Sequence, residues 1–416
     1  KNSWMLRPGH YITINNKYMA RNKAYYIIDE NPIYQETKSS TIDLLINELE
    51  SSFLDYLNCD VSLATFLSGG VDSPLVNAII STKYKDLKAF TISSTHSNID
   101  ESIYAEKISN YLKLNQQIES FEFGKVNDWL SDHFRAFSEP FADYSSLPTY
   151  MLCKHATKYY TVLISGDGAD ELFWGYPRFL STLKYKNWFR YPKRLRLLLA
   201  SLLRRTGIRI SSGIESNKIG DWVLDRQSAT FLTDVNNILP NAKYSSNLIE
   251  LFNAPKPSCN SIVFLNWLRK NEFYGHLQRI LLKVDRASMA HSLEVRVPFL
   301  DRKIIDFSSK ILPELGKLHN SPKYLLKQAL ERYIPKELYL KEKQGFSIDL
   351  SLLLKNELKE EIRDIFNSSD FYPFNTMNVA YIKDKVNYFY KNNNENPWSI
   401  WTLYSLQKFH ENHHLN

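Results

Sequence analysis

Ser68-Gly69-Gly70-Val71-Asp72-Ser73-Pro74 follows the apolar run VSLATFL and precedes LVNAIISTKY, a helix-forming run. A strand that feeds a glycine pair and then a helix turns backbone N–H groups and a helix N-terminus toward one point, which suits a phosphate. Gly69 and Gly70 permit close backbone approach, Ser68 and Ser73 add hydroxyl donors, and Asp72 has the chemistry to hold Mg²⁺ on a pyrophosphate. Pro74 suits the first helical turn, where its missing N–H would be unpaired anyway. The stretch lacks both the Gly-Lys-Ser/Thr ending of a Walker loop and the GxGxxG of a dinucleotide fingerprint, so a different nucleotide chemistry is indicated. Taken alone, it is also what a tight turn with a capping Asp looks like.

Ser165-Gly166-Asp167-Gly168-Ala169-Asp170-Glu171 again follows an apolar run, YYTVLIS, and precedes a helical stretch. Both loops are therefore expected at the carboxyl edge of one sheet, facing one ligand. Three acids within five residues repel one another unless a metal cation or a basic group compensates them. Mg²⁺ carrying ATP phosphates would do so, with Asp72 and Asp170 as the metal pair. The alternative for an isolated DGADE is a solvated, acidic helix cap.

The elements that must position these loops are legible from periodicity. LRPGHYITINNKYMARNKAYYIID alternates around two turns, as a short hairpin does. Ile42, Leu45, Ile46, Leu49, Phe53 and Leu54 then recur at helical spacing. VSLATFL, KAFTISS, IESFEF and YYTVLIS read as strands, with DESIYAEKISNYLKL as a helix between the second and third. Strands alternating with helices at this pitch predict an α/β fold with a doubly wound parallel sheet. From Glu171 onward the pattern is mostly helical, ending in PWSIWTLYSLQKF. Residues 1–35 read as hairpin and linker, and 36–416 as one enzyme body.

The chain has 416 residues, 44% of them hydrophobic, enough for a sizeable core. It starts at Lys1, with no charged-then-apolar leader after it. The apolar stretch around Leu197 to Leu203 is far shorter than the roughly 20 residues that span a bilayer. Cys59, Cys153 and Cys259 are widely separated and outside any CxxC spacing, which predicts structural cysteines in a reducing, cytoplasmic setting. The net charge of +7 fits an anionic ligand without specifying one. Nine Lys or Arg residues and no acid lie in 184–209, interleaved with Leu, Trp and Tyr. The stretch reads as a helical elaboration with a solvated basic face, and peripheral membrane contact is the alternative. No nucleic-acid partner is expected, and a homodimer is left open.

Four stretches carry a family resemblance: SGGVDS at 68–73, SGDGADELFWGY from Ser165 to Tyr176, VDRASMAHSLEVRVPFLD from Val284 to Asp301, and Lys343-Gln344-Gly345-Phe346. In order and approximate spacing they resemble the SGGxDS, SGxGxDExFxGY, VDRxSMxxxxExRxPFLD and KxGF of the asparagine synthetase family. The resemblance runs from about Thr41 to the C-terminus. It implies a PP-loop ATP-pyrophosphatase (adenine nucleotide alpha hydrolase-like) sheet with a helical C-terminal elaboration. It also implies an ATP-dependent ligase. The substrate carboxylate, foremost aspartate, attacks the α-phosphate of Mg-ATP; pyrophosphate leaves, and ammonia attacks the acyl-adenylate to give the amide and AMP.

By this resemblance Phe66, Ser68, Gly69, Gly70, Asp72, Ser73, Ile92, Ser165 and Gly166 line the nucleotide site, and Asp72 and Asp170 hold Mg²⁺. Lys343 would stabilise charge on the phosphates and the tetrahedral intermediate, a contact typically worth ~3–4 kcal/mol of barrier. Asp167 and Glu294 are the carboxylates that could act as base on the attacking ammonium. Many family members carry Glu where Asp167 stands, and a side chain one methylene shorter reaches a different point, which leaves base and acceptor open. Glu294 is equally readable as a structural partner of Arg296, and Asp285 with Arg286 as pocket residues or a buried ion pair. Other relatives amidate sugar uronates for surface polysaccharides, an alternative that the basic apolar segment suits. A non-catalytic scaffold is a remote alternative.

Family members usually carry an N-terminal glutaminase domain opened by a nucleophilic cysteine. LRPGHYITINNK resembles the place where such a domain ends. The glutaminase domain is expected to be absent from this chain, so ammonia comes from a glutaminase domain lost from it, from a separate chain, or from solution.

Overall fold

The computed structural model describes residues 5–17, 19–28, 38–94, 101–121, 126–206, 212–228, 230–311, 321–339, 348–368, 371–372, 376–392 and 396–413. The first element is the expected antiparallel hairpin, β1 (His10–Ile14) with β2 (Ala20–Ala24). Asn15 shapes its turn, its side-chain oxygen accepting from the N–H groups of Lys17 and Met19, each at 3.0 Å. Tyr26 ties the segment after it to the body by donating to Asp306 at 2.7 Å. Helix α1 (Lys38–Asp55) follows, burying Ile42, Leu45, Leu49 and Phe53 along one face as their spacing demands.

The strands β3 (Leu63–Phe66), β4 (Lys88–Ser94), β5 (Asn115–Phe121), β6 (Val162–Ile164) and β7 (Glu294–Arg296) form one sheet in the order β5-β4-β3-β6-β7. Every pairing in it is parallel. Helices α2 (Asp72–Lys83) and α3 (Glu101–Leu112) pack with α1 on one face, in a core that takes Ala89 and Ile164 from the strands. Helices α4 (Asn127–Ala136) and α5 (Ser146–Ala156), with the C-terminal helices, cover the other face over Ala64, Phe90 and Leu163. Side chains that alternate between two buried faces are why these strands read as continuous apolar runs.

After β5 the chain returns to lay β6 beside β3, so the sheet reverses its direction of growth between those two strands. Loops leaving adjacent strands at such a switch point diverge and leave a crevice at the carboxyl edge. Beyond it come α6 (Ala169–Leu172), α7 (Pro177–Tyr185), α8 (Lys193–Arg205) and a helical remainder ending in Trp398–His413. That last helix buries Ile400, Trp401, Tyr404 and Phe409, as the aromatic run predicts.

Two strands depart from expectation. β7 was not foreseen, because three residues with charges at both ends carry no periodicity; backbone pairing with β6 creates it. β5 begins at Asn115 rather than 118, since seven parallel pairings with β4 recruit the polar NQQ into an edge strand.

Candidate functional site

The turn between β3 and α2 is held from beneath by a residue that the sequence reading left unassigned. Asn77, fully buried, accepts from Thr65 Oγ1 at 2.5 Å and donates to the carbonyls of Phe66 (2.9 Å) and Ser73 (2.8 Å). Its available signal was a polar residue one helical turn after Ser73, on the side that must face the sheet. Within the turn, Ser73 Oγ accepts the Ser68 N–H at 2.9 Å and lies 3.0 Å from Ser68 Oγ, which accepts from Gly70 N–H at 3.3 Å. The two serines thus lock the loop to itself. A Cβ at Gly70 would meet nothing nearer than Ser68 Oγ at 3.5 Å, so this glycine leaves open space in front of the loop. Phe66 and Ile92, at the carboxyl ends of β3 and β4, are partly buried against one apolar cluster and can floor a flat ring.

The second loop presses on the first. A Cβ at Gly166 would stand 2.9 Å from Ser73 N and 3.0 Å from both the carbonyl carbon and Cβ of Asp72, so only glycine lets the loops touch. Gly168 adopts φ +92° and leaves no room for a Cβ, which would reach Leu300 Cδ2 at 2.5 Å. The PFLD stretch therefore serves the site from below. Phe299 packs at 5.0 Å between ring centroids on Phe53, and Asp301 caps the next helix by accepting from Lys303 N–H at 2.8 Å.

Asp72 and Asp170, one from each loop, converge on a single cation. Lys323 Nζ hydrogen-bonds Asp72 Oδ2 and lies 2.8 Å from Asp170 Oδ1. Burial works against its charge, but Asp170 and Asp72 outweigh that and hold the ammonium protonated well above the ordinary lysine range. Lys323 sits at φ +56°, a left-handed conformation costly for a residue with a side chain, immediately before the helix Tyr324–Leu330. The sequence reading missed it, because a lysine in SPKYLLK lies about 150 positions from Asp170 and about 250 from Asp72 and looks like surface.

The tail of the second loop is braced in series. Tyr176 donates to Glu171 Oε1 at 2.5 Å; burial foremost, then Glu171 and Asp170, push its phenol well above the ordinary range, so it keeps that proton. Arg178 stacks 3.7 Å over the Tyr176 ring and forks onto Glu272, with Nε to Oε1 at 2.6 Å. Glu272 opens a five-residue π turn, Glu272–His276, that brings His276 edge-on to Tyr176.

Asp167 is half-buried at the crevice, accepting from Ser165 Oγ while its own N–H donates back to that oxygen at 3.2 Å. Glu294 is not brought to it. It begins β7 level with Val162, at the amino end of the sheet, and is exposed. Its partner is Arg296 Nε at 2.6 Å, and Arg296 also donates to the carbonyls of Tyr56 and Asn58. Asp285 and Arg286 pair with each other at 2.9 Å on the helix Leu277–Met289, with neither buried. Lys343, with the whole KQGF turn, lies outside the described residues. The three cysteines are free, and burial pushes the Cys153 thiol up to about 12, which makes it inert.

Two carboxylates that share one cation beside an open phosphate-sized loop fit a Mg²⁺ that arrives with a nucleotide. Among the described residues no group of three or more His, Cys, Asp and Glu side chains is placed to hold a metal by itself. The donor set thus suits a metal completed by phosphate oxygens and water.

A parallel sheet with helices on both faces, and two loops meeting at its switch point, defines a doubly wound α/β protein whose crevice is the candidate ligand site. The family model described as asparagine synthase matches residues 45–411, and the chain belongs to that family. It is 28% identical over 97% of its length to asparagine synthetase [glutamine-hydrolyzing] 1 of Bacillus subtilis. It is 26% identical over 77% of its length to a putative asparagine synthetase [glutamine-hydrolyzing] of Mycobacterium bovis. The chain spans 64% and 50% of those relatives, respectively.

Proposed function

We propose that this chain catalyses ATP-dependent amidation of a carboxylate, foremost aspartate to asparagine, through an acyl-adenylate that ammonia attacks, releasing AMP and pyrophosphate. The observation that carries this reading is the convergence of Asp72 and Asp170, from two loops at one switch point, on the buried Lys323. The backbone N–H groups of 68–73 and the N-terminus of α2 would receive the phosphates. Phe66 and Ile92 would floor the adenine, and Asp72 and Asp170 would hold Mg²⁺. When bound, Mg²⁺ supplies charge neutralisation on the departing pyrophosphate. Lys323 supplies a second positive charge on the same side, and Lys343 is assigned the charge on the tetrahedral intermediate. Asp167, at the crevice, is better placed than the exposed Glu294 to take the proton that the nitrogen must lose once ammonia has attacked the acyl-adenylate.

The residues 1–35 are assigned to a hairpin and linker at the edge of a glutaminase domain, the ammonia source of the glutamine-hydrolysing relatives. A second reading, amidation of a sugar uronate, is favoured by the exposed basic and apolar helix α8, which suits a membrane-associated acidic acceptor. The test is ATP–pyrophosphate exchange with Mg²⁺ and ammonium across aspartate, other amino-acid carboxylates and uronates. Aspartate-dependent exchange with asparagine formed supports the first reading, and exchange with uronates alone supports the second. No exchange with any carboxylate overturns both.

A further inference from the structure

Among the described residues no helix is long and apolar enough to cross a membrane, yet one helix carries a stripe of large apolar side chains in water. Among the described residues, helix α8 is fastened on one side. There Arg196, buried, donates to the carbonyls of Tyr191 (3.2 Å), Ser216 (3.0 Å) and Asn217 (3.2 Å), and also to that of Ile214. Ala200 is buried on the same side, and the helix rests on the short turn Ser212–Glu215. A guanidinium so fully occupied fixes the rotation of the helix about its axis.

On the opposite side Tyr191, Leu195, Leu198 and Leu202 follow one another at intervals of four, three and four residues. Within α8 that spacing aligns Leu195, Leu198 and Leu202 along one helical face, and Tyr191 lies in the extended backbone that leads into it. They are 53%, 39%, 58% and 49% exposed. Lys184, Arg190, Arg194 and Arg205 are exposed around this stripe, Lys193 is turned to Asn217 on the fastened side, and no acid occurs from 184 to 209. The core of the protein needs none of these side chains, so the pattern answers to something outside the fold.

We infer that α8 is a docking surface for an anionic lipid bilayer, with the Leu195, Leu198 and Leu202 stripe entering the acyl boundary and the surrounding cations meeting headgroup phosphates. Leucines between cations on a helix of low overall hydropathy are the marks of a helix that lies in the interface plane, with Tyr191 at headgroup depth. A second copy of the chain fits worse. A two-fold contact through this face would set one basic rim against another with no acid in 184–209 to answer it. A nucleic acid would use the cations but leave the leucines without a role.

The test is co-sedimentation of the full chain with vesicles of phosphatidylcholine, with or without about 30% phosphatidylglycerol. Binding at least roughly tenfold tighter to the anionic vesicles is expected, weakened by salt. Leu198→Glu with Leu202→Glu, and separately Arg194→Glu with Arg205→Glu, should each cost roughly tenfold or more. Both pairs are exposed and should leave the melting temperature in place. Equal binding to both vesicle types, or leucine variants that bind like wild type, overturns the proposal. So does a dimer that the leucine variants dissociate, or an oligonucleotide complex that only the basic variants weaken. Vesicle binding is read without substrate, so its failure and a failure of amidation are told apart.

Discussion

Replacing Lys323 with Met removes a buried ammonium and keeps most of its volume. Nζ sits between Asp72 Oδ2 and Asp170 Oδ1, which puts the two carboxylate oxygens no more than about 5 Å apart. Two like charges at that separation repel by about 3 kcal/mol at an effective dielectric near 20. This falls at the lower end of the ~3–5 kcal/mol usual when one partner of a buried ion pair is deleted. Across 416 residues the entropy of unfolding is about 0.9 kcal/mol/K, so Tm should fall by roughly 3 °C. Circular-dichroism melts in EDTA and in millimolar Mg²⁺ provide the assay. Mg²⁺ should restore most of the loss to Lys323→Met and shift wild type less, because in wild type an ammonium already answers both acids. Adding Asp72→Asn to the variant should restore stability in EDTA by removing one of the two charges. A Lys323→Met protein that melts with wild type in EDTA, or gains no more from Mg²⁺ than wild type does, refutes the reasoning.

Gly166→Ala should weaken ATP–pyrophosphate exchange by roughly tenfold or more, since its methyl would be driven against Ser73 and Asp72; unchanged exchange would show that the loops need not touch. Asp167→Asn should lower the rate of amide formation about a hundredfold. Glu294→Gln should stay within about threefold and cost under about 1 kcal/mol of stability, as exposed pairs do; loss of turnover there, with the fold intact, would return the base to Glu294. His133, fully buried with Nε2 2.8 Å from Ser146 Oγ, has its pKa lowered by burial to about 3. It folds neutral and can be protonated when unfolded. Its stabilisation is therefore complete above about pH 6.5 and lost as pH falls toward 3, at about 1.4 kcal/mol per unit. Urea midpoints between pH 7 and 5 should fall more steeply for wild type than for His133→Phe, and parallel slopes would remove His133 from the account.

Legibility tracked how local the cause was. The runs at 61–67 and 88–94 became β3 and β4 because a strand buried on both faces must be apolar throughout, a rule that needs no knowledge of neighbours. The two glycine loops were readable as loops for the same reason. Asn77 and Lys323 were not readable as site residues. Lys323 acts through partners in other parts of the fold, of which a single sequence carries no record, and Asn77 acts within its own strand-turn-helix unit, where only the packed turn shows that its amide is aimed at the backbone. Glu294 shows the converse: its type suited catalysis, but the register of β7 against β6 sets it at the wrong end of the sheet.

The sequence by itself determined the α/β class, the strand-loop-helix units and the acids that two of those loops carry, because backbone preference and burial periodicity act over a few residues. Only the tertiary structure decided that Asp72 and Asp170 share one cation, that Gly166 must be glycine, and that the apolar stripe of α8 faces outward. Those depend on contacts between segments roughly 100 to 250 positions apart, or on the rotation of a helix fixed by Arg196, and distance in space is set by the whole packed chain.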